Sequence, residues 1–211
     1  MEKVIISDLT LRRLPKYMHF LKGLHRKGIE YTSASEISRH LEVHHTQVRK
    51  DLAFTGVRGI PKRGHRVLDL LIAIEKFLNW DSTTYAILVG VGNMGAAILN
   101  YRGFENSGIQ IVAAFDKDPE KIGKSFDRIR VFEMDKMEKL IDTMSVKIAI
   151  LATPAKYAQP VTDYMVKSGI QGIWNFTPVS LSVPDEVIVE NVDMYPSLAV
   201  LLRKLSQREE D

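Results

Sequence analysis

The stretch ILVGVGNMGAAIL, residues 87–99, constrains the fold more than any other part of the chain. An apolar run, glycines at 90, 92 and 95, and a second apolar run read as strand, tight turn and helix. Gly90 permits the turn, Gly92 lets a pyrophosphate approach bare backbone, and Gly95 lets the helix pack close to the strand. The helix start, around Val91, Asn93 and Met94, offers N–H groups and the positive dipole end to an anion. The G-x-G-x-x-G spacing is common on its own and gains force here from its strand–helix setting.

A second apolar run, IQIVAAFD, ends at Asp116, 26 positions after Gly90. An acid about 20 residues past the first glycine is placed to bind ribose hydroxyls. A carboxylate there favours NAD over NADP, because it repels a 2′-phosphate; Lys117, next in sequence, tempers that preference. Beyond it, DRIRVFE reads as a short strand, MDKMEKLIDTM as a helix, KIAILATP as a buried strand, AKYAQPVTDYMVKSG as a helix and GIWNF as a strand. Such alternation predicts a doubly wound parallel sheet of the α/β class over residues 81–190. Ligands sit beyond the C-terminal ends of these strands, which makes Thr153, Pro154, Asn175, Phe176 and Thr177 candidates for the far end of a pocket.

The preceding part has a different character. Residues 1–80 hold 15 Lys+Arg against 8 Asp+Glu, a charge of +7, whereas residues 81–211 hold 14 against 18, a charge of −4. All six histidines (19, 25, 40, 44, 45 and 65) lie before residue 66. A basic module joined to an acidic one suggests that the first faces a polyanion. TLRRLPKYMHFLKGLHRKG carries an apolar stripe at helical spacing, with the regular helix expected to start near Pro15. Ser33 and Glu36 are spaced as a capping box for a second helix to about Leu41. A third is expected from about His45 to Phe54, burying Val48 and Leu52. Two short helices joined by a tight turn form a helix-turn-helix, whose second helix meets base edges. Its outward face would carry His45, Thr46, Gln47, Arg49 and Lys50. GVRGIPKRGHRV follows, with Arg58, Lys62, Arg63 and His65 in a loop that resembles the wing of a winged helix. VLDLLIAIEKFLNW closes the module, with Leu68, Leu71, Ile72, Ile74, Phe77 and Leu78 expected inward.

Several function classes recede. There are no cysteines, hence no disulfides, thiolate metal sites or cysteine nucleophiles, and no histidines are spaced for a metal. No apolar run reaches the ~20 residues that span a membrane. The N-terminal MEKVIISDL has too short an apolar run for a signal peptide, so a cytoplasmic location is the default. The glycine-rich module contains no histidine, and Lys147, Lys156, Lys167, Tyr157 and Tyr164 fall where the sheet does not predict chemistry. Tyr101, one helix length past the glycine turn, suits contact with a cofactor better than attack on a substrate. A sensor is favoured; an NAD(P)-dependent oxidoreductase and a CoA- or nucleotide-binding regulator without redox response stay open.

Nine segments in order (TLRRLPKY, QVRKDL, KRG, GVGNMG, YRGF, FDKDPEKIG, ILATPAKYAQ, NFTPVSLSVP and VENVD) make the chain resemble the Rex family of redox-sensing transcriptional repressors along nearly all its length. The resemblance implies a homodimer on palindromic operator DNA, NAD(H) in each Rossmann domain, and a C-terminal helix, residues 191–211, exchanged between subunits. NAD-bound or empty protein would repress, and NADH would close the dimer and release DNA. By position, Gly90, Gly92 and Gly95 would cradle the pyrophosphate and Asp116 the adenosine ribose. Tyr101 and Asp193 would form a redox-dependent contact, and Gln47, Arg49, Lys50, Lys62 and Arg63 would face DNA. Three positions depart from the family: His19 stands for its usual first-helix arginine, RGHRV with an inserted Ile60-Pro61 replaces its usual wing, and His44 replaces a serine-like cap. The tail fits the exchanged helix, with Asp193 as cap and Leu198, Leu201, Leu202 and Leu205 as an apolar stripe.

Overall fold

The computed structural model describes residues 6–209; the start of the short apolar N-terminal run, residues 1–5, lies outside them. The chain divides into two compact units, Met1–Ser82 and Thr83–Asp211.

The first unit opens with α1, Asp8–Arg26, followed by β1 (Tyr31–Thr32), α2 (Ala34–Leu41), α3 (His45–Ala53), β2 (His65–Arg66) and α4 (Val67–Phe77). α1 starts well before Pro15, which sits inside it. Ser7 caps the helix by accepting from the Thr10 N–H, and the buried stripe already begins at Thr10 and Leu14. Packing of that stripe outweighs the N–H that Pro15 withholds from the Leu11 carbonyl. Ser33 caps α2 through the Glu36 N–H at 3.1 Å, while the Glu36 carboxylate accepts from the Thr32 hydroxyl at 2.8 Å. In α4, Ile74 is buried and Leu71, Phe77 and Leu78 pack against the same core, as the sequence predicts, but Leu68 and Ile72 do not. Val67, Leu70 and Ile74 are buried, whereas Leu68 and Ile72 are 40% and 56% exposed. The helix is apolar on two stripes, and contact with α1 selects one.

The wing is short. β1 and β2 pair antiparallel, Tyr31 opposite Arg66 and Thr32 opposite His65. Just before β2, Ile60 and Gly64 exchange backbone hydrogen bonds at 2.6 and 2.9 Å, so Ile60-Pro61 opens a tight turn with Lys62 and Arg63 at its tip. Gly64 is fixed there: at φ +85° a Cβ would run into the Thr32 carbonyl.

The second unit is a seven-stranded sheet built from β3 (Thr84–Val89), β4 (Ile109–Phe115), β5 (Ser125–Phe126), β6 (Ile129–Phe132), β7 (Ile148–Leu151), β8 (Gly172–Asn175) and β9 (Ile188–Asn191). The order is β5-β6-β4-β3-β7-β8-β9, parallel throughout except for the antiparallel edge strand β5. Setting β5 aside, the chain order across the sheet is 3-2-1-4-5-6, that of a dinucleotide-binding Rossmann fold, whose switch point lies between the first and fourth strands, here β3 and β7. α5 (Asn93–Leu99) follows β3, α6 (Met137–Met144) and α7 (Ala155–Lys167) flank β7, and α8 (Tyr195–Glu209) ends the chain. β3 is buried on both faces: Ile87 and Val89 join the core on one side, Leu88 on the other. β9 has no counterpart among the strands expected from sequence; it is an edge strand whose apolar run is only Val187-Ile188-Val189, flanked by acids, with Ile188 74% exposed.

Candidate functional site

In the second unit, the turn from β3 to α5 forms one wall of a cavity of about 790 Å³ at the C-terminal ends of the strands. Gly90 has φ +97°, and a Cβ on it would meet the Ala152 carbonyl oxygen at 2.7 Å. A Cβ on Gly95 would overlap the Gly90 carbonyl oxygen, so that glycine sets how closely α5 packs on the strand. Gly92 differs: nothing lies within 4 Å of its would-be Cβ. Its open backbone at the start of α5 is the place where a phosphate fits.

Asp116 is anchored to this turn. Its Oδ2 accepts from the Val91 N–H at 2.7 Å, its Oδ1 accepts from the Asp118 N–H at 2.9 Å, and Lys121 Nζ stands 3.4 Å from Oδ2. The carboxylate therefore meets the cavity wall in a fixed orientation, with lone pairs left for a ribose hydroxyl. Just past β7 and beside Gly90, the Thr153 hydroxyl is buried without a hydrogen-bond partner. A buried orphan of this kind costs about 1–3 kcal/mol unless a ligand or water satisfies it. Phe115, Met134, Val161 and Phe176 supply apolar lining. An open phosphate cradle, an anchored acid and an unsatisfied hydroxyl fit a dinucleotide.

The residues expected around this site are not all in it. Gly90, Gly92, Asn93, Met94, Asp116, Lys117, Thr153, Pro154 and Phe176 line the cavity. Val91 is buried, with its N–H spent on Asp116. Asn175 is fully buried; its amide donates to the Val179 carbonyl and Asn191 Oδ1, and its Oδ1 accepts from the Thr177 N–H and hydroxyl. Asn175 and Thr177 thus tie the 175–179 loop to β9 rather than face the cavity. Tyr101 is 61% exposed, edge-on to Phe104, in a separate depression with Arg102 and Ile129. Asp193 is exposed and accepts from the Tyr195 N–H at 2.8 Å at the start of α8. Conversely, Tyr157, placed away from chemistry by the sequence, is in the cavity wall with Lys121.

In the first unit, α3 presents His45, Thr46, Arg49 and Lys50 to solvent. His44 does the work of the missing serine: its Nδ1 accepts from the Thr46 N–H at 3.3 Å. Gln47 is not free to read a base, because its amide donates to Asp51 Oδ1 at 2.9 Å. Arg58, Lys62 and Arg63 are exposed, and Arg63 lies over the Tyr31 ring at 5.5 Å. His65 departs from its expected role. Its Nδ1 is buried without a partner, its ring fills the space beside Gly59, and burial pushes its pKa below the ordinary imidazole value. It supports the wing instead of extending from it. His19 is exposed on α1.

Sequence reasoning missed Asp51, the one carboxylate among the fully buried residues described. It accepts from Thr10, Arg13, Tyr17 and Gln47. Burial alone would raise its pKa, but the hydrogen bonds from Arg13, Tyr17 and Gln47 outweigh that and hold it below the usual carboxylate value. A signal was present: Asp51 lies three residues after Val48 and beside Leu52, on the buried side of α3.

Comparison with known proteins joins the two units. The family described as "CoA binding domain" matches residues 81–179, and the family described as "Putative DNA-binding protein N-terminus" matches residues 5–53. The redox-sensing transcriptional repressor Rex of Treponema denticola is 44% identical over 192 residues, 91% of each chain. The chain belongs to the Rex family of redox-sensing transcriptional repressors. The Rex of Carboxydothermus hydrogenoformans is 43% identical, covering 93% of this chain and 94% of its own. Among solved structures, the Rex-family repressor RSP superposes with a TM-score of 0.89 at 35% identity, covering 98% of this chain and 97% of its own. RSP in complex with β-NAD+ and operator DNA gives the same score at 36% identity, covering 98% and 95%. Among the described residues no helix is long and apolar enough to cross a membrane, and no group of three or more His, Asp or Glu is placed to hold a metal.

Proposed function

We propose that this chain is a cytoplasmic, non-enzymatic transcriptional repressor whose grip on palindromic operator DNA is set by the NADH/NAD+ ratio. The observation that carries the reading is the match to RSP, solved with NAD+ and operator DNA, at a TM-score of 0.89 over 98% of this chain. The open Gly92 backbone, Asp116 and the Thr153 hydroxyl support NAD(H) as the ligand of the second unit. His45, Thr46, Arg49 and Lys50 on α3 and Lys62 and Arg63 on the wing support operator DNA as the partner of the first. Bound in the cavity, the dinucleotide supplies a nicotinamide that is cationic when oxidised and neutral when reduced.

The protein acts as a homodimer that exchanges α8, and NADH closes the dimer and frees it from DNA. Moving a two-state switch from nearly all open to nearly all closed takes about 5 kcal/mol of preference by NADH for the closed form. Tyr101 and Asp193 form the redox-dependent contact, and His19 stands in place of the family's first-helix arginine. The test is fluorescence anisotropy of the purified protein on a labelled palindromic operator, titrating NADH against fixed NAD+. Release by NADH, opposed by NAD+, is expected; an affinity that NADH does not move overturns the sensor reading.

A further inference from the structure

His44 stands at the corner where the chain turns from α2 into α3, and its ring is held in place. Its carbonyl oxygen accepts from the Gln47 and Val48 N–H groups at 2.9 and 3.1 Å, which fixes the backbone that carries the ring. Its Nδ1 accepts from the Thr46 N–H at 3.3 Å, and the His45 ring lies 4.5 Å away at an interplanar angle of 35°. A ring nitrogen that accepts carries no proton, so the proton of this imidazole sits on Nε2. Nε2 faces away from the Thr46 N–H across the ring. The residue is exposed, and among the described residues no hydrogen bond engages Nε2. His44 therefore spends one nitrogen on the helix and holds out the other as a fixed donor.

The N-terminal residues of the second helix of a helix-turn-helix are the part of it that comes closest to a duplex. A donor there meets a phosphate or a base edge, and phosphate and sugar take about half or more of all protein–DNA hydrogen bonds. The positive end of the α3 dipole favours an anion at this corner, and no acid stands in the first turn of α3 to oppose one. We propose that His44 is a DNA-contacting residue: while Nδ1 caps α3, its Nε2–H donates, as a neutral donor, to a backbone phosphate oxygen of the operator. The contact fixes the position of α3 on the duplex without reading sequence and without adding charge. A second proton on the ring would turn the Nδ1 acceptor into a donor and remove the cap, so cap and contact coexist only in the neutral ring. The inference rests on the reading of α3 as the helix that faces DNA.

Two replacements in the full chain test it, read by fluorescence anisotropy on a labelled palindromic operator and on a random duplex of the same length. Nε2-methylhistidine at position 44 keeps the capping nitrogen and removes only the donor. His44→Gly removes the ring, at an N-cap position where glycine costs a helix little. Each is expected to weaken binding to both duplexes about fivefold, the size of one neutral hydrogen bond, with the melting temperature of the methylated chain unchanged. The salt dependence of the affinity should keep its slope, because a neutral donor displaces no counterion. Affinity within about twofold for the methylated chain overturns the contact, and weakening by His44→Gly alone traces that loss to the cap. A loss confined to the operator places Nε2 on a base edge and overturns the phosphate assignment. A slope flattened by about one unit means that the ring meets DNA as a cation and overturns the neutral donor. An unsubstituted chain that binds neither duplex overturns the DNA reading of α3 together with the proposal.

Discussion

Arg13 Nε on α1 stands 2.6 Å from Oδ2 of Asp51 on α3, and the aspartate side chain has no exposed surface. This pair, joined by the Tyr17 hydroxyl at 2.6 Å and the Thr10 hydroxyl at 3.2 Å, fixes α3, the helix proposed to face DNA, against α1. Removing one member of a buried ion pair leaves the other uncompensated and costs about 3 kcal/mol. Asp51→Asn keeps the shape, removes the charge and turns one acceptor into a donor facing Arg13 or Tyr17. It should lower the melting temperature of the first unit and abolish operator binding, while NADH still binds. Operator affinity within threefold of the unsubstituted chain would show that the pair does not orient α3.

The same carboxylate bears on which α3 residues are proposed to read DNA. Gln47 suits adenine by type, but its amide is committed to Asp51. Gln47→Ala should leave the ratio of operator to random-sequence affinity nearly unchanged. Lys50→Ala, on the exposed face, should weaken operator binding by about tenfold and flatten its salt dependence by about one unit of slope. The two outcomes reversed would place Gln47 in the groove and Lys50 outside it.

What the sequence made legible follows from which signals are local. The glycine turn, the strand–helix alternation and Asp116 are written in short windows, and the structure has β3, α5 and β4 where those windows predict them. Pro15 misled, as did Leu68 and Ile72 of α4, because tertiary packing chose among positions that local rules rank equally. β9 is an edge whose apolar run is only three residues long, Val187-Ile188-Val189, between acids, too short to stand out as a buried strand. Residue type places Asn175, Thr177 and His65 near the right place, but the Asn175 amide turns to the Val179 carbonyl and Asn191 Oδ1, Thr177 bonds to Asn175, and the His65 ring packs beside Gly59, choices that short windows do not show. Asp51 was readable by period but overlooked, since an acid inside a basic helix looks solvated until its partners on α1 are known.

Two glycines of the cradle separate folding from binding. A Cβ on Gly95 would overlap the Gly90 carbonyl oxygen, so Gly95→Ala should push α5 off the sheet and lower the stability of the second unit. Nothing crowds Gly92, so Gly92→Val should fold normally and fill the space a phosphate needs. Thermal unfolding near that of the unsubstituted chain, with NADH binding lost and operator binding insensitive to NADH, is expected for Gly92→Val. Retained NADH-driven release would move the ligand elsewhere.

His65 gives the first unit a pH dependence. Folding lowers the affinity of this half-buried ring for a proton, so the unfolded chain takes up the proton first as pH falls through about 6.5. The unit therefore keeps its full stability above that pH and loses part of it progressively below. His65→Gln, which cannot titrate, should flatten the decline in melting temperature between about pH 6.5 and 5. An unchanged slope would assign the decline to other groups, since Asp51, whose pKa is held low, loses its proton-linked contribution only at more acidic pH.

α8 presents Leu198, Leu201, Leu202 and Leu205 on one side, each about half exposed at 48%, 55%, 58% and 50%. Four leucines so placed would release several kcal/mol on burial, since a fully buried leucine contributes about 2 kcal/mol. Exchange between subunits is the proposed way of covering them. Leu201→Asp with Leu205→Asp should convert the dimer to a monomer in sedimentation equilibrium. Operator affinity should then fall much more than nonspecific affinity, because a palindrome rewards two linked recognition helices through effective concentration and random DNA does not. NADH binding should survive in the monomer, since neither leucine lines the cavity. A dimer that persists with both aspartates present would mean that the subunits are held together by another surface and that the stripe on α8 is covered by something other than a second copy of this chain.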